Sequence, residues 1–342
     1  MTSGDRASFL GHDNPLTATV TGILDRLTQR SDIVPLPADL DLSAQKILIT
    51  GANAGLGYAI AEALAKRGAS LVLACRSGIP ETAARLTETT GNPRIRMEQV
   101  DLGDLDSVAS LAARLASAGD VFDAAIFNAG LMPRQGYAGA QGFEIMFTVH
   151  YLANHLLVRL LLGSGTIPNA TWAGQPPDGR PARLVFVASE AHRSARALDW
   201  PEPGAFRPYG LRDGMKQYGV SKLALLTFVS ELTRRLAAAQ HPDVAVHSLC
   251  PGPVASSIAR DAPAWLEPIL RPAMRWMFNA PTVAAEPVLW LAASPEIEHE
   301  TGIYLHMKRR RAPSPEATDP NNGRRLWEWG EQVLAPWLDA TP

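Results

Sequence analysis

A doubly wound α/β fold on a parallel sheet is the class this sequence predicts, and three observations predict it. From Lys46 onward, short β-branched runs alternate with longer helical patterns. The strands carry few polar breaks, as strands buried on both faces do. The first of them runs directly into a glycine-rich turn that opens a helix.

Each element follows in order. Lys46–Thr50 (KILIT) reads as the first strand and 55–67 as the first helix, stopped by Gly68. Residues 71–74 and 94–100 are the second and third strands, and 105–118 is a helix with apolar residues three and four apart. Ala124–Phe127 is the fourth strand, followed by a long helix over about 143–162. The fifth strand is 183–188, the next long helix 217–239, the sixth strand 244–249 and the seventh 303–306. Stretches 163–181 and 193–214 lack periodicity and read as surface loops. A C-terminal helix carries Trp327, Trp329 and Trp337, which dock on the core or at a dimer interface. An amphipathic stripe at 16–27 (Val20, Ile23, Leu24, Leu27) reads as a packing arm or dimer contact.

Composition narrows the class. The 342 residues are 46% hydrophobic, enough to bury a substantial core, and the length alone allows one large domain or two. Lys and Arg number 32 against 34 Asp and Glu, a net charge of −2, which speaks against a nucleic-acid partner. Two cysteines exclude a disulfide scaffold and point to a reducing, cytoplasmic setting. Cys75 and Cys250 close predicted strands and read as buried packing, with no metal-ligand grouping around them. The apolar stretch near 156–162 is broken by Arg159 and falls short of the ~20 residues that cross a bilayer, so no integral membrane span is expected. The N-terminus has no basic start followed by an apolar block, so no secretory signal is expected.

The glycine turn reads Thr50-Gly51-Ala52-Asn53-Ala54-Gly55-Leu56-Gly57. Its glycines permit a tight strand-to-helix turn and let the backbone approach a pyrophosphate, toward which the helix N-terminus presents free N–H groups. NAD sites place an acid at the end of the second strand for the ribose 2′-hydroxyl. Here Ala74-Cys75-Arg76-Ser77 offers none, and Arg76 can pair with a 2′-phosphate. NADP(H) is therefore favoured over NAD(H).

Together with Asp101-Leu102, Asn128-Ala129-Gly130, Ser189, Tyr218-x-x-x-Lys222 and Pro251-Gly252, this turn resembles the short-chain dehydrogenase/reductase family. The motifs stand in the family's order over about 46–306. The phrases LACR, VASEAH, YGVSKLAL and the tail 294–329 resemble its retinol-dehydrogenase-like branch. The resemblance implies a single Rossmann-type domain. It implies that Gly51, Asn53, Gly55, Leu56, Gly57 and Arg76 hold the cofactor, with Asp101 and Leu102 at the adenine edge. It extends that set with Asn128, Ala129, Gly130, Pro251, Gly252, Val254 and Ser256, and with Tyr218 and Lys222 themselves. Tyr218 is then the acid/base, Lys222 lowers its pKa and holds the nicotinamide ribose, and Ser189 orients the substrate oxygen.

One position departs from the family. Its fourth catalytic residue is an Asn that holds a helix kink whose backbone carbonyl serves a relay to the Lys, and FTVHYLANHLL puts His150 there. The relay is expected to survive with altered pH dependence. Asn154, one turn later, is the alternative holder.

The family's variable lid falls at 255–280, where Trp265, Leu266, Ile269, Leu270, Met274 and Trp276 recur at helical spacing. Such a lid suits a hydrophobic carbonyl or alcohol substrate. Arg260, Arg271 and Arg275 can meet a carboxylate or be solvated, and Trp200, Phe206 and Tyr209 are placed to form an opposite wall. The basic run 308–311 reads as a solvated turn. The domain plan is a catalytic domain at 46–306 between extensions at 1–45 and 307–342, assembling as a homodimer or homotetramer. The function expected is NADP(H)-dependent interconversion of an alcohol and a ketone or aldehyde. The alternative is an NADP(H)-binding regulatory or low-turnover protein with an altered tetrad at His150. An epimerase or dehydratase fits the glycine spacing less well.

Overall fold

Among the described residues, eight strands form one sheet in the order β3-β2-β1-β4-β5-β6-β7-β8. They are β1 (Lys46–Thr50), β2 (Ser70–Cys75), β3 (Ile95–Gln99), β4 (Ala124–Phe127), β5 (Ala182–Val187), β6 (Val244–Cys250), β7 (Tyr304–His306) and β8 (Arg309–Arg310). The structure is a computed structural model and describes residues 31–237, 243–253 and 280–339. Strands β1 to β7 pair in parallel, and β8 turns back antiparallel on β7. The register pairs Thr50 with Ala74, Ile49 with Ile126, Phe127 with Phe186 and Val187 with Leu249. Strand ends are therefore level along one edge. Strand order reverses between β1 and β4, and a doubly wound sheet opens its binding crevice at that point.

The crossovers are α1 (Gly55–Ala65), α2 (Glu81–Thr90), α3 (Leu105–Ser117), α4 (Ile145–Gly163), α5 (Leu211–Leu236) and α6 (Pro281–Ala293). A last helix, α7 (Pro320–Leu338), lies beyond the sheet. Apolar side chains divide into two cores, one on each face. Ile47, Ile49, Leu71 and Leu73 pack under α1 and α6, while Leu48, Val72, Phe127 and Phe186 pack under α3, α4 and α5. Alternation along each strand sends neighbours to opposite faces, and both faces are covered, so the strands read as continuous apolar runs.

The elements differ from expectation in four places. The sheet has eight strands rather than seven, because Arg309–Arg310 of the supposed solvated turn pair with Leu305 and His306. Met307 takes a positive φ of 54° to close that hairpin, and Asp32 accepts the Arg310 backbone N–H at 3.0 Å. Basic residues without β-branched neighbours gave no strand signal. Helix α2 was not foreseen because only Thr82 and Leu86 of its face are buried. Helix α6 was hidden because it is apolar nearly all round, and such a run has no amphipathic period. Helix α5 begins at Leu211 rather than 217, its polar first turns lying outside the apolar pattern.

Helix α4 is long and apolar enough to cross a bilayer by length and composition, contrary to the sequence reading, yet 94% of its apolar window is buried inside the protein. Part of that cover is α7. Trp327 packs on His155 with ring centroids 4.6 Å apart, and Trp329 meets Phe147 edge-on at 5.8 Å. Glu331 receives both Nε and Nη2 of Arg159 at 2.8 and 3.0 Å and pairs with His155 Nε2 at 2.9 Å. The three tryptophans thus dock on the chain's own core.

Gly330 sits where α7 crosses α4. A Cβ there would lie 2.6 Å from His155 Nδ1 and closer still to the Tyr151 hydroxyl, and both residues are fully buried. Gly330→Ala gains up to about 1 kcal/mol of helix propensity. Forced overpacking costs about 1–3 kcal/mol and should win. Urea unfolding is expected to show a net loss, and an unchanged midpoint would mean that α7 is free to shift.

Candidate active site

The glycine turn is built by three neighbours at the level strand ends. Gly57 touches the turn so closely that a Cβ would lie 2.5 Å from Asn128 Nδ2. Asn128 Nδ2 donates to the Thr50 and Gly51 carbonyls at 3.0 and 3.1 Å, and Thr50 Oγ1 accepts from the Asn128 and Ala129 amides at 3.1 Å each. Side chains of β1 and β4 therefore clamp the turn. Helix α1 has no side-chain cap, so no side chain occupies its first N–H groups. Added bulk at Gly55 would meet nothing within 4 Å, so this side of the turn is open. A helix N-terminus free of side-chain caps, with open space beside it, fits a pyrophosphate. Arg76 is exposed at the end of β2, and beside it Ser77 Oγ accepts from Asn53 Nδ2 at 3.3 Å. Asp101 spends one oxygen on the Gly103 amide at 2.8 Å, next to buried Leu102.

Across the crevice, Ser189 follows β5 and caps a short 3-10 turn (Glu190–Ser194) by accepting the Ala191 N–H at 3.2 Å. Its side chain stands near enough to the Tyr218 hydroxyl to pull the phenol's pKa down. Lys222, one turn further along α5, is buried and donates from Nζ to the Val187 carbonyl at 3.0 Å. That ammonium lies 5.7 Å from the centre of the Tyr218 ring. Burial pushes the Tyr218 phenol up to about 12, against the pull of Ser189. Burial brings Lys222 down to about 8. Desolvation thus outweighs the Ser189 effect, and the phenol holds its proton at neutral pH.

His150 lies inside a π-helical turn, Thr148–Leu152, in the middle of α4. Such a turn leaves backbone groups out of the regular ladder. The His150 carbonyl is taken by Asn154 Nδ2 at 2.9 Å. The ring is also engaged. The Leu131 amide donates to Nε2 at 3.1 Å, so Nδ1 carries the proton and donates to Ser221 Oγ at 2.9 Å. Ser221 Oγ in turn donates to the Tyr218 carbonyl at 2.8 Å. Burial first, and the Lys222 charge second, hold this imidazole well below its ordinary pKa. A second proton would face the Leu131 N–H. The expected change in pH dependence through His150 titration therefore has no support in the geometry, and the carbonyl expected to serve the relay is engaged by Asn154.

The comparisons agree with this geometry. A family model for short chain dehydrogenases matches residues 45–196. Mouse retinol dehydrogenase 13 is 33% identical over 85% of this chain and 84% of its own length. The chain belongs to the short-chain dehydrogenase/reductase family. It is also 34% identical to human dehydrogenase/reductase SDR family member 13, over 88% of this chain and 77% of that one. A crystal structure of an uncharacterised protein from Mycobacterium paratuberculosis matches with a TM-score of 0.65 and 26% identity, covering 88% of this chain and 98% of the other. An angucycline C-6 ketoreductase, LanV, solved with bound NADP, shares the fold at a TM-score of 0.57 and 23% identity over 79% and 95% of the two chains.

Within this short-chain dehydrogenase, Gly51 to Gly57, Asn128 to Gly130, Ser189, Tyr218, Lys222, Pro251 and Gly252 gather at one edge of the sheet. Gly252 takes a positive φ of 78° just after β6. Val254, Ser256 and residues 255–279 of the expected lid lie outside the described residues, as does the stripe at 16–27. Loop 193–214 carries Trp200, Phe206 and Tyr209. It folds against the start of α4 and α5 around a cleft of about 540 Å³. Tyr209 there donates to buried Glu144 at 2.5 Å. Sequence reading missed Thr50, Ser221 and His192 as supports; only the His150-x-x-x-Asn154 spacing carried a readable signal.

Buried neutral imidazoles make stability acid-sensitive. Burial lowers His192 to about 4 and His247 to about 3, and both ring nitrogens of His247 lack partners. The unfolded chain takes up those protons near pH 6.5, so stability present above that pH is lost as pH falls toward the folded values. His247→Leu is expected to flatten the decline in thermal midpoint between about pH 6.5 and 4. A parallel curve would show that His247 is already charged or solvated.

Proposed function

We propose that the protein is an NADP(H)-dependent reductase of an apolar ketone or aldehyde, with Tyr218 as proton donor. The observation that carries this reading is the Lys222 ammonium, buried on the Val187 carbonyl and 5.7 Å from the centre of the Tyr218 ring, with Ser189 beside that phenol. Gly51, Asn53, Gly55, Leu56 and Gly57 would receive the pyrophosphate and Arg76 the 2′-phosphate. Asp101 and Leu102 would flank the adenine. Asn128, Ala129, Gly130, Pro251 and Gly252, with Val254 and Ser256, would line the nicotinamide end. When bound, NADPH supplies the hydride.

The chain's own residues then do the rest. Ser189 Oγ orients the carbonyl and Tyr218 gives its proton to the oxygen as negative charge grows there. A phenol raised to about 12 is protonated at neutral pH, which suits a proton donor. Lys222, at about 8, is mostly cationic there and stabilises the phenolate left behind. The retinol dehydrogenases among its relatives support an apolar substrate. The two buried free cysteines support a reducing cytoplasmic setting.

A panel of apolar ketones and aldehydes, run with NADPH beside NADH, tests the reading. Binding of NADPH without consumption across the panel would favour the regulatory alternative. Tyr218→Phe is expected to lower turnover roughly 100- to 10,000-fold while NADPH affinity holds. Arg76→Ala should weaken NADPH about tenfold relative to NADH, the worth of a charge-assisted bond. Because Lys222 loses its proton near 8, the reduction rate should fall as pH rises through that value. A rate flat from pH 7 to about 9 would remove Lys222 from the step.

A further inference from the structure

His192 occupies a place in this site that neither the glycine turn nor the Ser-Tyr-Lys set accounts for. It is fully buried in the 3-10 turn that follows Ser189. Two of its N–H groups converge on one acceptor. Its backbone amide donates to the Ser189 carbonyl at 3.1 Å, and its ring Nδ1 lies 2.7 Å from the same oxygen. On the other side of the ring, the Ser314 amide donates to Nε2 at 3.0 Å. One imidazole thus links the residue beside Tyr218 to a residue 122 positions further along the chain.

The surroundings hold both ends of that link. Glu190, next to Ser189, accepts the Tyr304 hydroxyl at 2.6 Å and Arg193 Nε at 2.8 Å. Arg193 reaches on to the Ala312 carbonyl at 2.6 Å. Ser314 opens the one-turn helix Pro315–Thr318, which packs on α5. The 3-10 turn also presses directly on α5. A Cβ at Gly219, the residue after Tyr218, would lie 2.6 Å from Ser194 Oγ and 2.9 Å from the Ala191 carbonyl. The chain after β8 therefore sets the height of the 3-10 turn, and the turn sets Ser189 against Tyr218.

We propose that His192 is a positioning residue for Ser189, through which the docked segment 311–318 holds Ser189 in place beside Tyr218. Two physical points carry this. The ring is a two-ended linker of fixed length, since the Ser314 N–H requires Nε2 to be the acceptor and so places the proton on Nδ1, facing Ser189. Loss of the ring also orphans the buried Ser314 amide and leaves the Ser189 carbonyl with the His192 backbone N–H alone, so the turn must shift to satisfy the amide.

The catalytic part of the test rests on the reductase reading, and two variants separate the halves of the bridge. The Asn amide in His192→Asn can replace Nδ1 as donor to Ser189. The longer amide in His192→Gln can replace Nε2 as acceptor from Ser314. His192→Phe keeps an aromatic ring and makes neither bond. On the ketone panel, His192→Phe is expected to lower kcat roughly tenfold to a hundredfold with NADPH affinity unchanged, and His192→Asn to recover more of it than His192→Gln. A second readout needs no turnover. In protein labelled at tyrosine 13Cζ, with the Tyr218 resonance assigned by Tyr218→Phe, His192→Phe should shift that resonance and His192→Asn should return it. Undiminished kcat in His192→Phe, an unmoved Tyr218 resonance, or better recovery by Gln than by Asn would each overturn the proposal. If wild-type protein reduces nothing on the panel, the reductase reading fails while the resonance still decides whether His192 positions Ser189.

Discussion

The contact between the Lys222 ammonium and the Val187 carbonyl is the constraint on which the site depends. Burying an ammonium is costly unless its donors are used, and here it is used on the last residue of β5. That bond fixes the rotation and height of α5 against the sheet. Tyr218, one turn earlier on the same helix face, is thereby carried to Ser189, which follows β5 directly. The same burial pulls the two titrations apart, the phenol up and the ammonium down. This separation leaves a protonated donor beside a cation that is ready to stabilise its conjugate base.

Much of this was legible from sequence because local signals and global requirements coincide. Strand β1 ends in a glycine turn because a strand that feeds a helix at a binding crevice needs both the turn and the close approach. Tyr218 and Lys222 announce themselves by helical spacing. Support residues are less legible. Thr50 reads as an ordinary strand residue until its hydroxyl is seen to accept two amides from the neighbouring strand end. His192 reads as a loop histidine until Ser314 arrives from the far end of the chain. Their roles depend on contacts between distant positions, and one sequence does not display these. Helix α6 and strand β8 failed for another reason, since neither has the periodicity by which elements are recognised.

Residues beyond the seventh strand also change meaning. They were expected to be an extension, yet β8, the one-turn helix and α7 cover α4 and α5 and brace the turn after Ser189. Glu331 is the anchor of that cover, drawing Arg159 and His155 to one carboxylate whose pKa is held down, despite burial, first by the His155 hydrogen bond and then by nearby charges, those of Arg159 and Arg235 among them. The C-terminal segment is packed into the same core as the strands that bear the chemistry.

The π turn at Thr148–Leu152 lets one helix serve two masters. A regular helix advances about 100° per residue, so a turn widened by one residue rotates everything after it by about that angle. Before the turn, Glu144 faces the loop that carries Tyr209. After it, Tyr151, His155 and Arg159 face α7. Deleting a single residue within 148–152 would restore an ideal helix and swing one of these two faces away from its partner. The irregularity is thus a phase shift written into the helix, and its length in residues matters as much as their identity.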